Sequence, residues 1–487
     1  MTSEHRTPTV AGAAGTLYER LAAELAEDID RGVHRSGERL PSVRQLCLTR
    51  QVSPATVFQA YALLEARGLV QARARSGYYV AAASRATPLA APQAAVALPQ
   101  VQQVSSAELT FALLQSTRDA EVVPLGSAFP SARLFPFDTL ARCSARAMRR
   151  LRPEQITGAL TAGDAGLRDL LRQRYVQQGV RLAPDELVIC NGAMEALNLC
   201  LQAVTRPGDI VVVESPTFYG ALQALERLHL RALEVATDPR DGVDLAALEA
   251  LLQRERVAAC WLMTSHQNPL GAVVPTERKA ALVQLLARHG VALIEDDVYG
   301  ELHGGLRRPP PAKAFDEAGL VLHCSSFSKC LAPGYRVGWA APGRYAAVVH
   351  RLKTMGSLAT SLPAQLALAE YLLHGGYDRH LRQLRAALSA QMSRTRRQVS
   401  RFFPKGTRVT EPAGGYFLWV ELPEGIDSLA LHRQALAEGI STAPGALFSA
   451  DRRFNHHLRL NTGHPGDPRV DPALRRLGEL AGRALRG

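Results

Sequence analysis

Cysteine is scarce and scattered. The 487 residues hold seven (Cys47, Cys143, Cys190, Cys200, Cys260, Cys324, Cys330), an odd number with no C-x-x-C pair among them. That pattern argues against a disulfide framework and a thiolate metal site, and predicts reduced, buried thiols and no metal. Acidic residues are outnumbered, 45 against 57 Lys and Arg, for a formal charge of +12. A basic balance permits contact with nucleic acid without establishing it. No apolar run is long enough to span a bilayer, and the first residues lack the apolar stretch of a secretory leader. A cytoplasmic protein with no membrane partner is therefore expected. Aromatics are only 6% of the chain, yet 47% of it is apolar, enough for a large core. The length predicts two or three domains.

Residues 17 to 32 carry Leu17, Leu21, Leu25 and Ile29 at helical spacing. After a break at Gly37 to Ser42, Ser42 can cap a short helix, Val43 to about Arg50. Ser53 can cap another, with Pro54 at its first position, running to about Ala66. Two short strands follow, Leu69 to Arg73 and Tyr78 to Val80, turned at Ser76-Gly77. Three helices and a hairpin make a winged helix-turn-helix, assigned to residues 15–81. Six arginines face one acid, Glu65, between positions 39 and 80. A solvated arginine face is the plainer reading of any one of them, but the acid deficit and the topology together favour phosphates. Arg39, Ser42, Arg44, Ser53, Arg73 and Arg75 are candidates for the backbone, and Ala55, Thr56 and Gln59 for base edges. The stretches 37–46, 52–57, 64–69 and 75–80 resemble the GntR-type winged helix. The resemblance implies that Arg44, Thr56 and Gly77 contact double-stranded DNA. Many members of that family have arginine or asparagine where Pro54 stands, which moves base reading toward Ala55 and Gln59.

Residues 82–108 are rich in Ala, Pro, Gln and Ser and predict a flexible linker. Beyond it, in 109–487, buried-strand runs at Leu187, Ile210, Ala258, Val291, Leu320 and Val337 alternate with helical patterns such as Met194 to Val204 and Glu277 to Arg288. This predicts an α/β domain with a mainly parallel sheet, whose ligands sit at strand C-terminal ends.

One stretch at such an end bears chemistry. Ser325-Ser326-Phe327-Ser328-Lys329 places a lone lysine among hydroxyls, with Arg336 seven positions on. Desolvation or a cationic neighbour frees a lysine amine to form a Schiff base. Arg336 can clamp a phosphate, and Ser326 and Ser328 can add donors. An exposed basic loop is the bland alternative. Other strand ends supply partners, each weak alone: Gly192-Ala193-Met194 opens a helix suited to a phosphate, and Phe218 can stack on a ring. Asn268 can donate to a phenolic oxygen, Asp296 can hold a pyridinium proton, and Tyr299 can reach the ring's 3-oxygen.

In this order and spacing, the set resembles fold-type I aminotransferases over roughly residues 120–480. The resemblance implies pyridoxal 5'-phosphate linked to Lys329, with Asp296 on the ring nitrogen, Asn268 and Tyr299 on the 3-oxygen, and Phe218 against the ring. Arg336 and Ser326 take the phosphate, and Arg459, in His457-Leu458-Arg459-Leu460-Asn461, takes a ligand carboxylate. Ala193-Met194 replaces the polar pair common there, leaving the phosphate to backbone N–H groups. Thr161 to Gly166 lacks the tyrosine that reaches a neighbouring subunit. A GntR-type winged helix joined to an aminotransferase-like domain resembles the MocR subgroup of bacterial regulators. That implies a head-to-tail homodimer, a DNA operator, and a small amino compound sensed by aldimine exchange at Lys329. A working aminotransferase with an appended DNA-binding domain is the alternative.

Overall fold

The computed structural model describes residues 17–66, 69–73, 76–81, 89–94, 100–103, 119, 121–157, 162–305 and 307–486. Their contacts form two units, divided between Arg85 and Ala86.

In the first unit, α1 (Leu17–Asp30), α2 (Val43–Arg50) and α3 (Pro54–Ala66) precede an antiparallel hairpin of β1 (Val70–Arg73) and β2 (Gly77–Val80). The two expected caps are in place. Ser42 Oγ accepts from Gln45 N at 3.2 Å, and Ser53 Oγ from Thr56 N at 3.2 Å. Each satisfies an N–H that a helix start leaves free. Leu21, Leu25, Leu46, Val57 and Leu64 form the core, closed by Val70 and Val80 from the hairpin. Tyr61 stacks on Tyr78 at 4.4 Å, tying α3 to the wing. Arg75 lies outside the described residues.

In the second unit the main sheet runs β3-β6-β5-β8-β9-β10-β11-β4, with β7 beside β6. Its strands are β3 (Val101–Gln103), β4 (Val188–Cys190), β5 (Ile210–Ser215), β6 (Arg231–Asp238), β7 (Gly242–Val243), β8 (Val257–Leu262), β9 (Ala292–Asp296), β10 (Val321–Ser326) and β11 (Gly338–Ala341). The five from β6 to β10 are mutually parallel, and β3, β11 and β4 pair antiparallel at the edges. The central strands are apolar on both faces because helices cover both. Val211 and Val213 meet the helix Ala193–Val204, and Val212 points oppositely, toward the helices Leu245–Arg254 and Thr276–His289. A smaller antiparallel sheet follows, order β12-β13-β15-β14: β12 (Arg408–Val409), β13 (Phe417–Glu421), β14 (Ala443–Pro444) and β15 (His457–Asn461).

Two stretches expected to be free linker are part of this second unit. Val101–Gln103 is the edge strand β3, with Val101 opposite Leu233. Val409 N donates to Ala90 O at 3.0 Å, Gln93 N donates to Glu421 Oε2 at 3.1 Å, and Leu89 packs on the small-sheet core. The prolines there disfavour helix, but an edge position tolerates extended, proline-flanked chain. Residues 82–88, 95–99 and 104–108 of the expected linker lie outside the described residues.

Candidate functional site

The sheet delivers the chemistry-bearing residues to its strand ends. β9 ends on Asp296, and β10 ends on Ser326, three residues before Lys329. The short turn Pro333–Tyr335 then reverses the chain, and Arg336 adopts a left-handed φ of 52° before β11 begins. β4 leads into Gly192 at φ 85° and the helix Ala193–Val204. Phe218 caps the helix Tyr219–Arg227 after β5.

These ends enclose a cavity of about 220 Å³. Ala193, Met194, Phe218, Asn268, Asp296, Tyr299, Ser326, Ser328, Lys329 and Arg336 all line it. Gly192 contributes space instead: a Cβ there would run into Nη2 of Arg336. With none, the guanidinium lies over the start of the helix. Its Nη1 donates to Ser328 Oγ and its Nη2 to Asn191 O, both at 3.3 Å. A helix N-terminus beside a guanidinium is an anion site.

Lys329 has an amine suited to nucleophilic work. Burial and the cations Arg459 and Arg336 bring its pKa down to about 7, against the pull of Asp296. Its Nζ donates to Ala128 O at 2.8 Å and lies 3.7 Å from the Phe129 ring centroid. Asp296 is the converse case. Burial and the neighbouring Asp297 raise its pKa to about 7, and Oδ1 has no partner among the described residues. Asn268 Oδ1 accepts from Arg459 Nη1 at 3.1 Å, while Nδ2 is unpartnered among the described residues.

Arg459, on β15, is fully buried. Beyond Asn268, its Nη2 donates to Gly126 O at 2.7 Å and Ser127 O at 3.1 Å. Nε has no partner among the described residues, and Phe417 lies under the guanidinium at 4.3 Å. Tyr299 is buried, with its ring edge-on to Tyr416 and Phe417, and burial raises its pKa.

Sequence reasoning missed two parts of the site. The loop Gly126 to Phe129 carries no motif, yet its carbonyls accept from Lys329, Arg459 and, at 3.0 Å, Tyr416 Oη. Asp297 anchors a network behind the cavity. It pairs with Arg308 and, at 3.0 Å, with His323, whose Nδ1 meets Tyr175 Oη at 2.7 Å. Burial opposes its ionisation, but Arg308 and His323 hold it ionised, well below the usual range. The Asp-Asp dipeptide was the only signal of that second role. Thr161, in the segment without the expected tyrosine, lies outside the described residues.

Residues 137–477 match the aminotransferase class I and II family, and residues 17–80 match the gntR family of bacterial regulatory proteins. An uncharacterised HTH-type transcriptional regulator of Escherichia coli, YdcR, is 47% identical over 95% of this chain and 98% of its own. The chain belongs to the MocR-type regulators. Another relative of this MocR-type chain is the HTH-type transcriptional regulator TauR of Rhodobacter capsulatus, 30% identical over 95% of this chain and 98% of that protein. The second unit is similar to LysN, an α-aminoadipate aminotransferase of Thermus thermophilus. Their TM-score is 0.70 at 31% identity, covering 79% of this chain and 96% of that one. Pyridoxal phosphate is the cofactor of this fold, and the MocR-type cavity fits it. An unpaired carboxylate oxygen, an unpaired amide N–H and a helix start beside a guanidinium are the acceptor, the donor and the anion site that its ring and phosphate require.

Proposed function

We propose that this regulator binds an operator through its first unit and senses a small amino compound in its second, by exchange of the cofactor's covalent link from Lys329 to the incoming amine. One observation carries this reading. The same chain joins an arginine-rich winged helix to a cavity whose lysine has its pKa brought down to about 7. When bound, pyridoxal phosphate supplies an electrophilic carbonyl and an electron sink. The chain's own residues do the rest. Lys329 forms the covalent link, and Asp296 holds the proton on the ring nitrogen. Asn268 and Tyr299 donate to the 3-oxygen, and Phe218 lies against the ring. The backbone N–H groups after Gly192, with Ser326, Ser328 and Arg336, take the phosphate. Arg459 takes the carboxylate of the amino compound, giving up carbonyl partners on the 126–129 loop to do so. Liganded and unliganded sites then differ in what holds that loop, which gives a ligand differential affinity for two states. A head-to-tail homodimer of the second units presents two winged helices to DNA, with Arg39, Ser42, Arg44, Ser53, Thr56, Arg73, Arg75 and Gly77 at its backbone and bases.

The test is a screen of amines against the visible absorbance of the bound cofactor, with operator binding measured alongside. An amine that shifts the spectrum is expected to change DNA affinity, and neither shift is expected in Lys329→Ala. Spectral change with DNA affinity constant for every amine tested would overturn the sensing role. A working aminotransferase is the second reading, favoured by the convergence of the lysine, carboxylate and arginine on one cavity. Sustained turnover of an amino donor and a keto acid at about 1–1,000 per second would establish it.

A further inference from the structure

Helix α3 turns an almost uncharged face to solvent. From Ala55, exposed positions follow at helical steps: Phe58, Gln59 and Ala62, with Pro54 at the start. Val57, Ala60, Tyr61 and Leu64 fill the core from the other side. Glu65 closes the exposed stripe, but its carboxylate is engaged, accepting from Ala72 N at 2.7 Å. No lysine or arginine lies on the stripe. Phe58 is the unusual member, 53% exposed on a helix that buries its other large apolar side chains. The positive charge sits on neighbouring elements, at exposed Arg39 and Arg44 before and within α2 and at exposed Arg73 on the wing. A surface with cations around an apolar stripe fits a polyanion that itself presents apolar groups. The major groove of DNA does so wherever thymine places its C5-methyl.

We infer that α3 reads its operator through thymine methyl groups, with Phe58 and Ala55 against them and Gln59 on an adjoining adenine. Guanine is read by an arginine or a lysine donating to its O6 and N7, and this stripe has neither, while glutamine matches the donor and acceptor pair of adenine. The base pairs beneath α3 are therefore A·T. The arginines elsewhere in the unit hold phosphates and set the affinity, and the stripe sets the sequence. This inference rests on the reading of the first unit as the DNA-binding element.

The experiment selects duplexes from a random pool with the full-length, cofactor-loaded chain, and repeats the selection with Phe58→Ala. Positions whose preference relaxes in the variant mark the pairs under Phe58. A·T pairs are expected there. Replacing thymine with uracil at those positions removes only the methyl. It is expected to weaken the parent about fourfold per methyl, the worth of one buried methylene, and to leave Phe58→Ala unchanged. Phe58 is exposed, so matching thermal unfolding of the two proteins is expected. G·C pairs at those positions, or equal affinity of the parent for thymine and uracil, would overturn the inference while leaving DNA binding intact. The second outcome is also what a protein partner covering Phe58 would give. No enriched sequence with either protein would overturn the DNA-binding reading together with the inference.

Discussion

Lys329 and Asp296 are shifted in opposite directions, and each shift makes a measurable claim. A lysine brought down to about 7 offers a substantial neutral fraction at neutral pH, where an ordinary lysine offers almost none. The rate at which cofactor-free protein takes up pyridoxal phosphate is expected to rise with pH and level off above about 7. A rise continuing toward the ordinary lysine value of 10.5 would show that the amine is not desolvated as described. Asp296 titrates near 7 when folded against 3.8 as its ordinary value. Between those values the folded protein holds a proton that the unfolded chain has released, so stability falls as pH rises through that window. Three pH units set an upper limit of roughly 4 kcal/mol. Asp296→Asn should flatten that fall in the cofactor-free protein, as read by denaturant midpoints at pH 5 and pH 8. An unchanged slope would mean that another group carries it. The adjacent pair also marks a limit of the linear sequence. Asp296 and Asp297 look alike in it, and only their surroundings, the cavity for one and Arg308 with His323 for the other, assign them different roles.

Elements position these groups, and at Gly192 the start of a helix meets the Arg336 guanidinium with no room for a side chain. Its φ of 85° disfavours any side chain, and a Cβ would displace Arg336. Gly192→Ala is expected to cost about 1–3 kcal/mol in backbone strain and to lower affinity for pyridoxal phosphate at least tenfold, in a fluorescence titration. Affinity within twofold of the parent would show that Arg336 does not depend on that space. The elements themselves were largely legible. Ser42 and Ser53 announced the starts of α2 and α3, and the apolar runs announced β4, β5 and β8 to β11 within a residue or two. β3 was not legible. Val-Gln-Gln has no apolar period of its own and becomes a strand because the edge of β6 offers unpaired backbone groups.

Across the whole molecule, two units divide the labour. Arg44→Ala, exposed on α2, is expected to weaken operator binding about tenfold, the low end for a hydrogen bond to a charged group, and to leave the cofactor's absorbance unchanged. A changed spectrum would break the assignment of DNA and cofactor to separate units. Operator affinity of the parent is also expected to fall steeply between low and moderate salt, because each neutralised phosphate releases counterions. A flat salt response would remove the arginines of residues 39–80 from the interface.

What the sequence determined by itself was local. A cap acts three residues away, a buried strand shows in four consecutive side chains, and the lysine-to-arginine spacing spans a single turn, so each leaves its mark in adjacent residues. The tertiary structure decided what meets across long separations. Asn268, Asp296 and Arg459 come together with the 126–129 loop only because parallel strands end at one edge of the sheet and β15 approaches it. Desolvation is a property of everything packed around a group, which is why the acidity of Lys329 depends on Arg459, 130 positions away, and cannot be read from the residues beside it.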